Sequence, residues 1–190
     1  MIGNDIVDLT YIKRISHWEK PGFLDKVFTV SEQALIHEAK NRHQAVWWLW
    51  SLKEAAYKCN VQQFGERFFN PKCIECQRLS ESCGMVTIND SVYTTTSQLH
   101  TDYIYTIATQ DHREKVHSSV FTSEMPSYQK QSEFLKIQVL KSFSKVVDLD
   151  VKNLTIEKTE TGMPEIYHAS RKLPIHLSLT HCGRFSGFVF

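Results

Sequence analysis

One stretch constrains the fold more than any other. Residues 45–58, AVWWLWSLKEAAYK, run without a glycine or proline, and their length and pattern predict a helix. Trp47, Trp48, Leu49, Trp50 and Leu52 make it apolar most of the way round. A helix of that kind sits centrally in its fold. Yet the same stretch carries Glu54 and Lys58. Four residues apart on a helix, they share one face. One reading is a surface ion pair adding about 0.2–0.5 kcal/mol of helix support. The bulky neighbours argue for another. An acid and a lysine on a largely buried helix are costly unless each has a further partner. A hard cation for Glu54 and a phosphate for Lys58 would be such partners.

The surrounding sequence predicts mixed elements. Residues 2–9 are short, apolar in places and β-rich, and read as a strand. Thr29-Val30-Ser31-Glu32 fits a capping box opening a helix over about 30–41. Segments 85–88, 92–96 and 103–108 are rich in Val, Ile, Thr and Tyr, with breaks between them, as in an antiparallel meander. Residues 110–127 are polar and contain Pro126, the best linker signal in the chain. A third helix is expected over 131–147, then strands near 154–157, 165–167, 175–180 and 185–190. Gly162, Met163 and Pro164 make a turn between the first two of these. The expected class is α+β, with a first half at 1–112, a linker at 113–127 and a second half at 128–190. Element order alone fits two similar halves and two unrelated ones equally.

Composition narrows the function. The 190 residues are 42% hydrophobic and 23% charged with a net charge of +1, ordinary for a globular protein. That charge excludes the global basic field of a nucleic-acid-binding protein, though not a local basic pocket. No apolar run approaches the ~20 residues that span a bilayer. Residues 1–9 carry acids where an export signal carries lysines, so a cytoplasmic location without membrane attachment is expected. Five cysteines, an odd number, fit reduced thiols. Cys73 and Cys76 suggest zinc, but no second CxxC or HxxxH completes four ligands. On a strand the two would also face opposite ways.

Two further islands carry chemistry. In Gly3-Asn4-Asp5-Ile6-Val7-Asp8, Asp5 is an acid in an otherwise apolar strand. It shares a face with Val7, while Asp8 points away. Asp5 is either a polar residue on a solvated strand end or a second carboxylate for Glu54. Two carboxylates with open positions suit Mg²⁺, which keeps waters and takes phosphate oxygens from substrate. In Ser178-Leu179-Thr180-His181-Cys182-Gly183-Arg184-Phe185, a β-rich run meets a glycine turn. Thr180, His181 and backbone N–H groups there can cradle a phosphate, or His181 is simply the edge histidine of a hairpin.

Together the islands resemble the 4′-phosphopantetheinyl transferase superfamily. WSLKEAAYK matches its W-x-x-K-E-x-x-x-K signature at Trp50, Lys53, Glu54 and Lys58. GNDIVDL is similar to its G-x-D-I-V-E segment and SLTHCGRF to its S-x-S-H-x-G segment. Phe28 to Glu32 and Thr161 to Pro164 echo its F-S-x-x-E stretch and G-K-P turn. The segment order resembles the short holo-acyl-carrier-protein synthases, which build each site between subunits of a trimer. The greater length resembles the surfactin type, in which two similar halves form a pseudo-dimer. The resemblance implies one site between two halves of a monomer.

It also implies roles. Asp5 and Glu54 would hold Mg²⁺ bridging the pyrophosphate of coenzyme A, the substrate. Lys58 would contact that pyrophosphate and steady the leaving 3′,5′-ADP. Thr180 and His181 would bind coenzyme A phosphates, with Gly162 in the turn beside them and Lys53 a weaker candidate for the same task. Glu54, or a water it orients, would take the proton from the serine of an apo acyl carrier protein. Carrier proteins are acidic, so Arg14 and Arg42 are candidates for the receiving rim, the alternative being plain solvated residues. Lys130 and Lys136 are candidates for further phosphate contacts. The chain departs from the pattern at Val7, where the surfactin type has a third acid, at Thr180 in place of Ser, and at Met163 in place of the turn lysine. Val7 and Met163 motivate an alternative: a catalytically silent homologue that binds coenzyme A or a carrier.

Overall fold

The computed structural model describes residues 1–111, 115–123, 125 and 127–190. The chain is α+β. In order come β1 (Ile2–Asp8), α1 (Leu9–Ile15), α2 (Phe23–Val27), α3 (Val30–Glu38), α4 (Arg42–Phe64), β2 (Ile74–Arg78), β3 (Cys83–Ile88), β4 (Ser91–Leu99), β5 (Tyr103–Thr109), β6 (Ser118–Thr122), α5 (Tyr128–Val147), β7 (Leu154–Lys158), β8 (Pro164–His168), β9 (Arg171–Lys172), β10 (Ser178–Cys182) and β11 (Phe185–Val189).

The tryptophan-rich helix α4 is longer than its pattern predicts, at 23 residues. Asn41 caps its first turn by accepting from the Gln44 N–H, and Gly65 ends it at a φ of 74°, a conformation glycine adopts without a Cβ clash. Its apolar girth buries Val46, Trp47, Trp48, Leu49, Leu52, Ala55 and Ala56 against an antiparallel sheet of order β1-β5-β4-β3-β2. Helix α3 opens with the expected capping box at Thr29 and Glu32 but stops at Glu38. Asp8 ends β1 and caps α1 by accepting from the N–H groups of Thr10 and Tyr11. The short helices α1 and α2 and the strand β2 carry too few periodic residues to stand out in the sequence.

The rest of the chain builds two three-stranded sheets, β10-β11-β6 and β7-β8-β9, under α5. Leu135, Val139 and Phe143 of α5 close a second core with Leu154, Ile166, Leu177 and Phe188. Two expectations change here. The stretch 113–127 is more than a connector, because Ser118–Thr122 forms β6, paired with β11. Phe121 packs that strand onto the second core. Residues 113, 114, 124 and 126 of the expected linker, with 112 at the end of the expected first half, lie outside the described residues. The strand expected from residue 175 begins instead at Ser178. Before it, the Ile175 N–H turns back to the Leu173 carbonyl across Pro174.

The sheets meet without a shared ladder. Strand β1 pairs with β5 on one edge. On its other edge the N–H groups of Asn4 and Ile6 donate to the hydroxyls of Ser178 and Thr180 on β10, each at 3.1 Å. Among the described residues, no helix is long and apolar enough to cross a membrane.

Candidate active site

The site begins with a glycine. Gly3, Asp5 and Val7 face α4, as strand alternation predicts. A Cβ at Gly3 would overlap the carbonyl oxygen of Ala55, so only glycine lets β1 lie this close to the helix. Val7, 3% exposed, joins the core beneath α4. Asp5, 9% exposed, is thereby brought against the helix turn that carries Glu54 and Lys58.

Lys58 ties three segments together. Its Nζ donates to the Asn4 carbonyl at 2.6 Å and to the Leu179 carbonyl at 3.4 Å, and stands 3.6 Å from Asp5 Oδ1. Burial pushes the Asp5 carboxyl up, and the Lys58 charge and the Thr180 hydroxyl only partly offset it. Burial also raises the half-buried Glu54 to about 7, with the Asp5 charge adding to the rise and Lys58 opposing it. Two acids that burial and mutual repulsion both disfavour as anions are the electrostatic setting a divalent cation relieves. The donors are hard oxygens, so the pair fits Mg²⁺. Among the described residues, no group of three or more His, Cys, Asp or Glu is placed to hold a metal. A cation held by Asp5 and Glu54 would need its other ligands from water and substrate.

Asp8 faces away from this pair. Its Oδ1 caps α1, and its Oδ2 accepts from the backbone N–H and Nε of Arg184 at 3.0 and 3.2 Å. Burial pushes this carboxyl up, but the N–H groups and the guanidinium outweigh it and hold it below the usual value.

Beside Glu54 lies a cleft of about 190 Å³, bounded by Tyr57, Lys58, Arg67, the β7–β8 turn at Gly162 and Met163, and Leu179 of β10. The structure thus gathers Glu54, Lys58 and Gly162, with Asp5 reached through Lys58. His181, half-buried on β10, packs edge-on against Tyr128 with ring centres 4.5 Å apart. Burial lowers its pKa, and the charges of Lys58 and Lys158 lower it further. The Thr180 hydroxyl accepts from the Ile6 N–H and donates to Asp5 Oδ1 at 3.1 Å. In this structure that hydroxyl orients Asp5 instead of facing the cleft.

Lys53 requires a correction. It is 0% exposed and lies off the cleft. Its Nζ pairs with Glu32 at 2.8 Å and donates to the carbonyls of Pro71 and Ile74. Glu32 also accepts from the Cys76 N–H at 2.8 Å. The lysine next to Glu54 in the motif therefore anchors α4 to α3 and β2, and its ammonium has no path to a phosphate. Cys73 is exposed and Cys76 buried, both free.

A sequence model of the 4′-phosphopantetheinyl transferase superfamily matches residues 1–124. The chain belongs to the 4′-phosphopantetheinyl transferase superfamily. A search of curated proteins found no match. The matched residues include Asp5, Glu54 and Lys58 and stop short of Gly162, Thr180 and His181. Membership makes this chain a transferase of the phosphopantetheine-moving kind. Sequence reasoning missed Arg67, Ser178 and Tyr57 in the cleft and the clamp of Gln62, whose Oε1 accepts from the Ile2 N–H and whose Nε2 donates to the Leu177 carbonyl. Ser178 and Tyr57 lie inside the motif segments without having been singled out, whereas Arg67 and Gln62 act through contacts distant in sequence and had no local signal. Lys130 and Lys136 lie on α5, and neither borders the cleft.

Arg14, in the last turn of α1, and Arg42, at the start of α4, are both exposed. Arg42 borders a separate hollow of about 1100 Å³ with Lys13, His17, Lys20 and His37. The twelve residues from Arg42 to Glu54 span ~18 Å of helix.

Proposed function

We propose that this chain transfers 4′-phosphopantetheine from coenzyme A to a serine of an apo acyl carrier protein, releasing 3′,5′-ADP, with Mg²⁺ held by Asp5 and Glu54. The observation that carries the reading is the convergence of Asp5, Glu54 and Lys58 where β1, α4 and β10 meet.

The reaction forms a bond between the serine oxygen and the phosphorus that bears pantetheine. It breaks that phosphorus's bond to the oxygen of 3′,5′-ADP. When bound, Mg²⁺ neutralises pyrophosphate charge. The chain's own residues do the rest. Lys58, held by two carbonyls, faces the charge that grows on the leaving phosphate. Glu54 accepts the serine proton directly or through a water, a task worth about 10²–10⁴-fold. Thr180 keeps Asp5 in place, and His181, next to it on β10, donates a ring N–H to a phosphate oxygen.

Residues 1–112 supply the metal ligands and 128–190 part of the coenzyme A pocket, so the two regions act as halves of one pseudo-dimeric monomer. The exposed bases of α1 and the α4 start, Arg14 and Arg42 among them, receive the acidic carrier. Val7 in the core and Met163 in the turn favour a second reading, a silent module that binds coenzyme A without transfer. Incubation with coenzyme A, Mg²⁺ and several apo carriers, followed by mass spectrometry, separates the two. The transferase adds phosphopantetheine to at least one carrier. Coenzyme A binding with no carrier modified selects the silent module.

A further inference from the structure

Coenzyme A carries negative charge in two places, the pyrophosphate and a separate phosphate on the ribose 3′ carbon. Lys58, beside Asp5 and Glu54, answers only the first. In the β7–β8 turn the chain has Met163, which brings no charge.

The structure places another cation at that turn. Helix α4 ends at Gly65, and the loop that follows carries Arg67 to the cleft occupied by Glu54, Lys58, Gly162 and Met163. A Cβ at Gly162 would stand 3.1 Å from Arg67 Nη1, so the guanidinium lies against bare turn backbone. Gly162 has a φ of 74°, which keeps that face free of a side chain. Two carbonyls hold Lys58 in its place. Arg67 differs: it is exposed, and among the described residues it has no ion pair or hydrogen bond. The turn itself is internally satisfied. The Thr159 hydroxyl accepts from the Met163 N–H at 3.0 Å, and the Gly162 N–H donates to the Thr159 carbonyl at 2.8 Å. The turn therefore does not need Arg67 to hold its shape, and the planar guanidinium fork is left for an anion it can grip with two N–H groups.

We infer that Arg67 binds the ribose 3′-phosphate of coenzyme A, supplying from the loop after α4 the charge that the turn lacks. The inference rests on coenzyme A being the donor. Calorimetric titration of the whole chain with coenzyme A and with dephospho-coenzyme A tests it. The wild type binds coenzyme A more tightly than dephospho-coenzyme A. Arg67→Gln weakens coenzyme A about 10- to 100-fold, the loss of one charge-assisted phosphate contact, and leaves dephospho-coenzyme A unchanged. Adding Met163→Lys to Arg67→Gln restores part of the preference. Equal losses on both ligands, no loss on either, or a wild type without preference overturns the assignment. Carrier modification is scored separately. A wild type that prefers coenzyme A but modifies no carrier refutes the reaction and leaves the Arg67 contact standing.

Discussion

The Thr180 hydroxyl donates to Asp5 Oδ1 at 3.1 Å, joining residues 175 positions apart. The same oxygen accepts from the Ile6 N–H at 3.1 Å. Thr180→Val keeps the shape and removes both bonds. It strands a buried N–H, which costs about 1–3 kcal/mol, and frees Asp5 to move. The expected result is a lower urea midpoint together with a higher Mg²⁺ requirement for transfer, while Thr180→Ser stays near wild type. An unchanged Mg²⁺ requirement in Thr180→Val means the hydroxyl does not position Asp5.

Glu54→Gln separates catalysis from stability. The amide cannot take the serine proton, so the transfer rate falls about 10²–10⁴-fold. It also removes the charge that repels Asp5, so thermal stability without metal is retained or raised. Asp5→Asn and chelation by EDTA likewise abolish transfer, and added Mg²⁺ restores activity only to the wild type. A Glu54→Gln enzyme at wild-type rate removes that residue from the chemistry.

The Glu32–Lys53 pair acts on the fold alone. Each side chain is 0% exposed, and loss of one partner leaves a buried charge, costing about 3–5 kcal/mol. Lys53→Met and Glu32→Gln are each destabilising in urea. The double variant loses less than the sum of the two. In whatever Lys53→Met protein remains folded, coenzyme A affinity matches wild type. A selective loss of that affinity returns Lys53 to the site.

Asp8 sets an acid limit. Its carboxyl lies below the ordinary 3.8 in the folded chain. The unfolded chain therefore binds this proton more readily, and the stabilisation is complete above pH 3.8 and lost as pH falls through the folded value. Asp8→Asn keeps the α1 cap but weakens the tie to Arg184. At neutral pH it lowers unfolding free energy by about 1–3 kcal/mol, and the gap from wild type closes as pH drops below 3.8. A gap that is constant from neutral pH to acid assigns the loss to packing instead of charge.

Residues 45–58 and the alternation of β1 were readable because each signal is local. A helix period shows in the spacing of tryptophans, and a strand period separates Asp5 and Val7 from Asp8. The capping box at Thr29 and Glu32 spans three residues and was legible for the same reason. Strand β6 was not, because its five residues sit inside a polar stretch and gain their strand form from pairing with β11. Lys53 and Lys58 look alike in the motif. Only packing shows that one points at Glu32 in the core and the other at Asp5 by the cleft.

The sequence by itself determined the helix that carries Glu54, the face of β1 that carries Asp5, the α+β class and the resemblance to a family. Tertiary structure alone decided which lysine meets the acids, what the Thr180 hydroxyl does, why residue 3 is glycine and where Arg67 lies. The physical reason is range. Backbone periodicity is written within a few residues, whereas the contact of Gly3 with Ala55 or of Thr180 with Asp5 exists only once distant segments pack.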